Sequence, residues 1–391
     1  MKTYKKILWS LKKPKNHTFD LVITKKDFSH TSRLYKSKRI IPETSSSVTA
    51  SFVLDRSKYA RFIIKELDLL LKNDGTFNII FTSREKKELH AIGVRSTMQI
   101  MYEFSVSTGG RYSLISKKKR RNFTELCYKK NQSTLAKNDS IDCWSFGIIT
   151  NGAKNKSVRL LVDSIIKQNI KNLEINICGP NPYKDSVPTN VNVIDYIDDN
   201  SDIRAPISSK KNILIKSSKF ENICLLHDRY LLPNNWYSNF KSYGNYFDFL
   251  EIPNKNLDNS RSPDYQVFKK NISDIYLRGN PFLPYEKFSS NQFMQGGSIV
   301  GKKSCFERNL FLPHLHWGEF EDVHFSKKQY LDGSLIYVDV NNYFLTDSDR
   351  FRTSVINTSL INNFIFIIKN LIQWIQIIVI HWLNVNKKNI N

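Results

Sequence analysis

Residues 144–226 alternate short apolar segments with an amphipathic one, and this alternation restricts the fold more than any other feature of the chain. Residues 144–150 (WSFGIIT), 173–178 (LEINIC) and 222–226 (NICLL) have the length and apolar character of buried strands. Residues 157–168 place apolar side chains at helical spacing. Alternation of this kind predicts an α/β domain with a mostly parallel sheet, in which ligands bind beyond the carboxyl ends of the strands.

Polar residues or glycine follow each predicted strand directly. They are Thr150, Asn151, Gly179, His227, Asp228 and Arg229. Because the carboxyl ends of parallel strands lie along one edge of a sheet, we expect these residues to face one site. A structural interpretation also stands: Asp228 can cap a turn after its strand, and His227 is more often a structural histidine than a ligand.

The segment 294–328 combines residue types that suit a ligand site. It contains Gly296, Gly297, Trp317, Gly318, Glu319, Glu321, Asp322 and His324. Glycine lets backbone approach a ligand closely, carboxylates take up a proton or hold a cation, and imidazole ligates metals. The alternative is an acidic helix N-terminus stabilised by the helix dipole, with a plain turn at the glycine pair and Trp317 in the core.

The region 1–135 also alternates strands and helices. A predicted strand at 47–54, a helix at 59–71, a turn at Asn73-Asp74-Gly75 and a strand at 76–82 indicate a right-handed crossover in a parallel sheet. Residues 111–116 and 123–129 are candidates for a hairpin, and residues 19–24 for a further strand.

This order of elements resembles the C-terminal half of a class I methyltransferase domain. No glycine-rich loop follows an early strand, however, and such a loop lets backbone approach a nucleotide-like cofactor. We therefore expect a degenerate Rossmann-like region over residues 1–135, without methyl transfer. Polar residues 130–142 predict a linker to the next domain.

The formal net charge of +23 suggests an anionic partner or a solvated basic face. An anionic membrane surface or an anionic substrate fits this charge, and we consider nucleic acid an unlikely partner. The five cysteines are widely spaced and show no zinc-type pattern, which favours a reduced, cytoplasmic protein.

Residues 360–385 form the longest apolar segment, and its polar residues fall mostly three or four positions apart. A polar stripe of this kind predicts an amphipathic helix over residues 358–386. Such a helix suits a membrane interface, which implies peripheral attachment to the inner face of the membrane. Packing on protein and a membrane-spanning helix remain alternatives.

Taken in order, the motifs of residues 143–350 resemble glycosyltransferases of the GT-A fold, family 2 type. The resemblance is carried by the strand ending in Thr150-Asn151, the Lys211-Asn212 pair, Asp228 in place of an Asp-x-Asp motif, Gly296-Gly297, and Glu321-Asp322. It implies a nucleotide-diphospho-sugar transferase domain with a mostly parallel sheet.

The resemblance also implies a role for each candidate residue. Asp322 is the implied catalytic base, with Glu321 behind it. The implied donor-binding residues are Thr150, Asn151, Gly179, Lys211, Asn212, Asp228 and Arg229, and the implied acceptor-binding residues are Gly296, Gly297, Trp317 and Gly318. Asp228 and His324 are the implied ligands of a divalent Mn or Mg ion; Lys211 and Arg229 are the cationic alternatives to that ion.

We therefore expect a membrane-associated cytoplasmic glycosyltransferase. It would move a sugar from a nucleotide-sugar donor to a saccharide or lipid-linked acceptor, with inversion, in cell-surface polysaccharide synthesis. Two alternatives remain open at this point. One is a non-catalytic carbohydrate- or polyanion-binding protein on a decayed transferase scaffold, and the other is a nucleotide-sugar or nucleotidyl enzyme of a related α/β type.

Overall fold

The computed structural model describes most of the first 346 residues. The described residues are 6–10, 21–23, 43–51, 54, 57, 59–82, 95–120, 123–131, 138–196, 198, 205–267, 283–285 and 287–346. The helix expected over 358–386 lies outside them, as does part of the linker expected over 130–142. Among the described residues, no helix has both the length and the apolar character needed to cross a membrane.

The N-terminal unit contains a six-stranded sheet and two helices. In chain order its elements are β1 (Lys6–Ser10), β2 (Leu21–Ile23), β3 (Ser45–Ser51), α1 (Ala60–Leu70), β4 (Leu71–Thr82), α2 (Thr97–Ser107), β5 (Tyr112–Lys119) and β6 (Phe123–Lys130). The strand order is β2-β1-β3-β4-β6-β5. The first four strands are parallel, whereas β6 is antiparallel to both β4 and β5.

This topology confirms the predicted parallel crossover from β3 through α1 to β4, and the predicted hairpin of β5 and β6. The turn expected at residues 73–75 is instead an irregularity inside β4. Leu71 pairs with Ser45 and Thr76 with Ser47, and Asp74 has a φ of 60° between them. The extra residues are accommodated as a bulge because pairing resumes on the same neighbouring strand.

The second unit is a larger mixed α/β structure, as predicted. Its elements are β7 (Cys143–Ile149), α3 (Asn155–Ile166), β8 (Asn172–Cys178), β9 (Val191–Ile194), α4 (Ile207–Ser217), β10 (Asn222–His227), β11 (Tyr230–Leu231), α5 (Trp236–Tyr243), β12 (Phe249–Glu251), β13 (Asn254–Asn256), β14 (Gln266–Val267), β15 (Gln292–Phe293), β16 (Ser298–Lys302), α6 (Lys303–Arg308), α7 (Glu321–Leu331), β17 (Ile336–Val338) and β18 (Phe344–Thr346).

The main sheet of this unit has the strand order β17-β12-β16-β10-β7-β8-β9. Strands β10, β7, β8 and β9 are parallel to one another, and β16 is antiparallel to β10. The carboxyl ends of β7, β8 and β10 therefore lie along one edge, and the loop before β16 returns to that edge. This arrangement places the predicted strand-end residues and the Gly296-Gly297 pair on the same side of the sheet.

Both faces of the main sheet are buried under helices. Alternate residues of β10 enter different apolar cores: Leu226 packs with Trp236 of α5, whereas Leu225 packs with Leu214 of α4 and Phe325 of α7. Burial on both faces explains why the strands read as continuous apolar runs in the sequence. Helices α4 and α7 share the second face, and this sharing sets the geometry of the site.

The N-terminal unit packs directly on the second unit through α1. The Phe62 ring lies 5.1 Å from the ring of Phe288 and 5.3 Å from that of Tyr337, and it belongs to the core of the second unit. Lys65 forms an ion pair of 2.7 Å with Asp248. Burial alone would raise the pKa of Asp248, but the Lys65 ammonium and the hydrogen bond from the Leu335 N–H outweigh it and lower that pKa.

Candidate active site

The ends of β7, β8 and β10 meet around Thr150. The Thr150 hydroxyl donates a hydrogen bond of 3.1 Å to Oδ2 of Asp228, which follows β10. A Cβ at Gly179 would lie 2.2 Å from the Thr150 carbonyl oxygen, and Gly179 has a φ of 139°. Only glycine permits this approach. Asn151 accepts a hydrogen bond from the Ala153 N–H and shapes the turn beside the site.

Asp228 is a partly buried carboxyl in a basic surrounding. Burial raises its pKa, while the hydrogen bond from Thr150 and the positive charges of Lys154, Arg229 and Lys210 act in the opposite direction. The effect of burial is the larger one, so the pKa of Asp228 is raised overall. Three cations thus act on Asp228, and one of them, Lys210, also pairs with Asp198.

The Gly296-Gly297 pair connects the end of β10 to the first turn of α7. The His227 N–H donates to the Gly297 carbonyl oxygen at 2.9 Å, and the Gly296 N–H donates to Oδ2 of Asp322 at 2.9 Å. A Cβ at Gly296 would lie 2.6 Å from Oε1 of Glu321 and 3.1 Å from Oδ2 of Asp322, so a larger residue would displace these carboxylates. The loop therefore holds Asp322 next to the strand ends.

Asp322 lies at the N-terminus of α7 and has a perturbed acidity. Burial and the neighbouring Glu321 raise its pKa from 3.8 to about 6, against the opposing effects of Lys211 and of the N–H groups of Gly296 and Val323. A carboxylate with a pKa of this value is mostly ionised at neutral pH and still accepts a proton readily. This acidity suits a general base.

Lys211 and Glu321 form a buried ion pair of 3.1 Å beneath this loop, and the Lys211 side chain has 0% exposure. The neighbouring Asn212 exchanges two hydrogen bonds with the Phe311 backbone, of 2.8 Å and 3.0 Å. Both residues of the expected donor-binding pair are thus engaged by protein groups. They tie α4 to α7 and to the segment that leads into it.

Lys210 is a site residue that the sequence motif did not single out. Its ammonium donates to the Thr150 carbonyl oxygen at 2.8 Å and pairs with Asp198 at 2.8 Å, and its side chain has 1% exposure. The only available signal was helical spacing, because Lys210 lies four residues before the buried Leu214 and therefore faces the sheet.

Arg229 and His227 lie together at the end of β10. Nη1 of Arg229 lies 3.3 Å from Nδ1 of His227, and the guanidinium is 5.2 Å from the centre of the Tyr230 ring. A Cβ at Gly297 would lie 2.6 Å from Nη2 of Arg229, so this glycine gives the guanidinium its space. Burial, followed by the charges of Arg229, Lys211 and Lys210, lowers the pKa of His227 well below its usual value.

The remaining acceptor-side candidates lie on the surface before α7. The Trp317 side chain is 52% exposed, and its backbone N–H donates to the Ala205 carbonyl oxygen at 3.0 Å. Trp317 is therefore not a core residue. Gly318 has a φ of 86° and open space around it.

His324 lies on the exposed side of α7. Glu321 and Phe325 of α7 are buried, whereas His324 is exposed, and the groups that influence its pKa, after burial, are Lys328 and His314. Over the part of the chain that the structure describes, no three His, Cys, Asp or Glu side chains come together as a candidate metal site. The Asp228–His324 metal site suggested by the sequence therefore stays a prediction.

Comparisons with known proteins identify similarity at the level of solved structures. No protein-family model matches the chain, and no curated protein sequence matches it. The solved structures similar to the chain include glycosyltransferases. Residues 1–349 of TarS from S. aureus, in complex with UDP-GlcNAc, align at a TM-score of 0.36 and 15% identity, over 56% of this chain and 62% of that TarS chain.

Two further structures align to a similar extent. The mannosyltransferase PcManGT from Pyrobaculum calidifontis, in complex with GDP-Man and Mn2+, has a TM-score of 0.36 and 11% identity, over 53% of this chain and 57% of its own. GalNAc-T7 with UDP, GalNAc and Mn2+ has a TM-score of 0.36 and 16% identity, over 52% of this chain and 43% of its own. The alignments thus span less than two thirds of these proteins, and they lend no support to the methyltransferase resemblance of residues 1–135.

Proposed function

We propose that this protein is a glycosyltransferase that moves a sugar from a nucleotide-sugar donor to a hydroxyl of a saccharide or lipid-linked acceptor. The observation that carries the proposal is the position of Asp322. The loop at Gly296 and Gly297 holds this carboxylate beside the strand ends, where ligands of α/β sheets bind, and its raised pKa suits it to accept a proton.

In the proposed reaction, the acceptor hydroxyl oxygen forms a bond to the anomeric carbon of the donor sugar. The bond between that carbon and the nucleoside diphosphate breaks, and the diphosphate takes the electron pair. Asp322 takes up the proton of the hydroxyl, a contribution of about 10²- to 10⁴-fold to the rate. One base on the acceptor side is enough for a single displacement, so we infer inversion at the anomeric carbon.

The two sides of the site would bind different partners. The donor would lie over Thr150, Asn151, Gly179 and Asp228 at the strand ends. The acceptor would lie over the Gly296-Gly297 loop, with Trp317 and Gly318 at its rim, because an exposed aromatic face packs well against the apolar face of a sugar ring. We assign the transferase unit to residues 143–350 and the pathway to cell-surface polysaccharide synthesis, with peripheral attachment to the membrane.

A nucleotide-release assay tests the proposal. The full chain is incubated with a panel of UDP-, GDP- and CDP-sugars and candidate acceptor saccharides, and free nucleotide is measured. We expect one donor class to be consumed, with release reduced at least about 100-fold in Asp322→Asn. The matched control is Asp163→Asn, which changes an exposed carboxylate of α3. Equal activity of the Asp322 variant and the control would contradict the proposal.

A non-catalytic carbohydrate- or polyanion-binding protein is the second candidate. The observation that favours it is that Asp228 alone stands in place of the expected Asp-x-Asp motif, where the charges of Lys154, Arg229 and Lys210 act on it. Saccharide binding with no nucleotide release from any donor of the panel would support this candidate over the transferase.

A further inference from the structure

We propose that the protein itself supplies the positive charge that holds the donor diphosphate, through Arg229 with His227, and that donor binding requires no divalent metal ion. This inference rests on the proposed transferase function. It concerns how the same site recognises a nucleoside diphosphate, and it replaces the metal ion that the sequence resemblance implied.

Four of the six carboxylate oxygens of Asp228, Asp322 and Glu321 are already engaged by protein donors. Oδ2 of Asp228 accepts from Thr150, the two oxygens of Asp322 accept from the backbone N–H groups of Gly296 and Val323, and Glu321 pairs with Lys211. Mg and Mn ions favour about six oxygen ligands. A metal would have to compete with these bonds, and it would meet the positive charges of Lys154, Arg229 and Lys210 that already act on Asp228.

Among the cations near His227, Arg229 alone lacks a carboxylate partner within the described part of the chain. Lys210 pairs with Asp198 and Lys211 pairs with Glu321. Arg229 contacts the His227 ring and lies beside Tyr230 and Gly297. A partly buried guanidinium that forms no ion pair with a described carboxylate is costly, and a bound anion would lower that cost.

The contact between Arg229 and His227 determines which ring nitrogen of the histidine is free to donate. A guanidinium has no acceptor, so the 3.3 Å contact requires Nδ1 of His227 to accept. The neutral ring then carries its hydrogen on Nε2. Nε2 is buried and has no hydrogen-bond partner among the described residues. The Nε2–H of His227 is therefore available to donate a hydrogen bond to an oxygen of a bound ligand.

Arg229 and His227 together match the chemistry of a diphosphate. The guanidinium binds two oxygens of a phosphate group in a forked geometry, and the imidazole N–H donates a further bond. Gly297 leaves the guanidinium room that a side chain at this position would remove. The two residues are thus placed at the strand ends, where a nucleotide donor is expected to bind.

Calorimetric titration with UDP and GDP tests this inference without relying on turnover. We expect the full chain to bind one of these nucleotides equally well, within about threefold, in EDTA and in Mn2+. Arg229→Met should weaken binding in EDTA at least about tenfold, because hydrogen bonds to charged groups are individually strong. Arg229→Lys should retain part of the affinity. The control Lys171→Met removes an exposed charge just before β8, at the amino end of the strand and thus opposite the site.

A second variant is designed to make nucleotide binding depend on a metal ion. Arg229→Asp places a second carboxylate beside Asp228, and we expect it to bind nucleotide only when Mn2+ is added, whereas Arg229→Asn should bind weakly in both conditions. Wild-type binding that is lost in EDTA and restored by Mn2+ would overturn the inference and leave the transferase function standing. Failure to bind any nucleotide with or without metal would overturn both.

Discussion

Replacing Asp322 by Asn should stabilise the fold and remove the activity. The folded protein raises the pKa of this carboxyl from 3.8 to about 6. Each pKa unit corresponds to about 1.4 kcal/mol, so ionised Asp322 costs about 3 kcal/mol of folding free energy. Asn removes the charge but loses one of the two backbone hydrogen bonds, which is worth about 1 kcal/mol. We expect a net gain of about 2 kcal/mol at pH 8.

The direction of the pH dependence follows from the raised pKa. The wild-type fold has its full free energy of unfolding below pH 3.8, where Asp322 is protonated in both the folded and the unfolded state. It loses the contribution of this group as the pH rises through about 6 and Asp322 ionises in the folded protein. The advantage of Asp322→Asn should therefore be small at pH 4 and complete at pH 8. Urea unfolding at pH 4, 6 and 8 measures it, with Asp163→Asn on the exposed side of α3 as the control.

The activity of the wild type supplies an independent check on the same pKa. Nucleotide release should fall as the pH drops below about 6, because Asp322 becomes protonated and can no longer accept the proton of the acceptor. An Asp322→Asn variant that is destabilised equally at every pH would refute the reasoning. So would a wild-type rate that stays constant between pH 5 and pH 8.

Three further predictions concern the surroundings of the site. Lys211→Met should destabilise the fold by about 3–5 kcal/mol by leaving Glu321 buried without its counter-charge, and the added Glu321→Gln change should restore most of the loss in urea unfolding. Trp317→Ala should reduce transfer to a saccharide and leave donor hydrolysis unchanged, which a coupled assay with and without acceptor distinguishes. The lowered pKa of Asp248 beside Lys65 means that its stabilising effect is present above pH 4 and lost at lower pH, so Asp248→Asn should weaken the acid dependence of unfolding.

The parts of the site that depend on local pattern were predictable from the sequence. The end of a buried strand is marked by the change from apolar to polar residues, and the order of such ends along a parallel sheet places them at one edge. Thr150, Gly179 and Asp228 were found in this way, and the structure brings them together. The position of Asp322 came from the order of motifs, which also reflects chain topology.

The parts of the site that depend on the rotation of a helix were harder to predict from the sequence. Lys210 and Lys211 are adjacent in the sequence, and only the packing of α4 reveals that one contacts Thr150 and the other Glu321. His324 lies three residues after Glu321, but Phe325 occupies the buried face of α7 and leaves the histidine exposed. Motif spacing alone could not show that His324 is exposed, because this depends on the rotation of α7.

Helix α7 of the second unit also contacts the N-terminal unit, and this contact has a consequence for the choice of expressed fragments. Its first turn carries Asp322, and the backbone oxygen of Tyr330 near its end accepts a hydrogen bond from Arg61 of α1. Eleven helical residues span about 16 Å, so one helix connects the contact with the N-terminal unit to Asp322. A fragment that begins at residue 138 would leave the aromatic ring of Tyr337 without its Phe62 neighbour and the carboxylate of Asp248 without its counter-ion. Such a fragment should aggregate rather than serve as a minimal enzyme, and expression trials should retain the N-terminal unit.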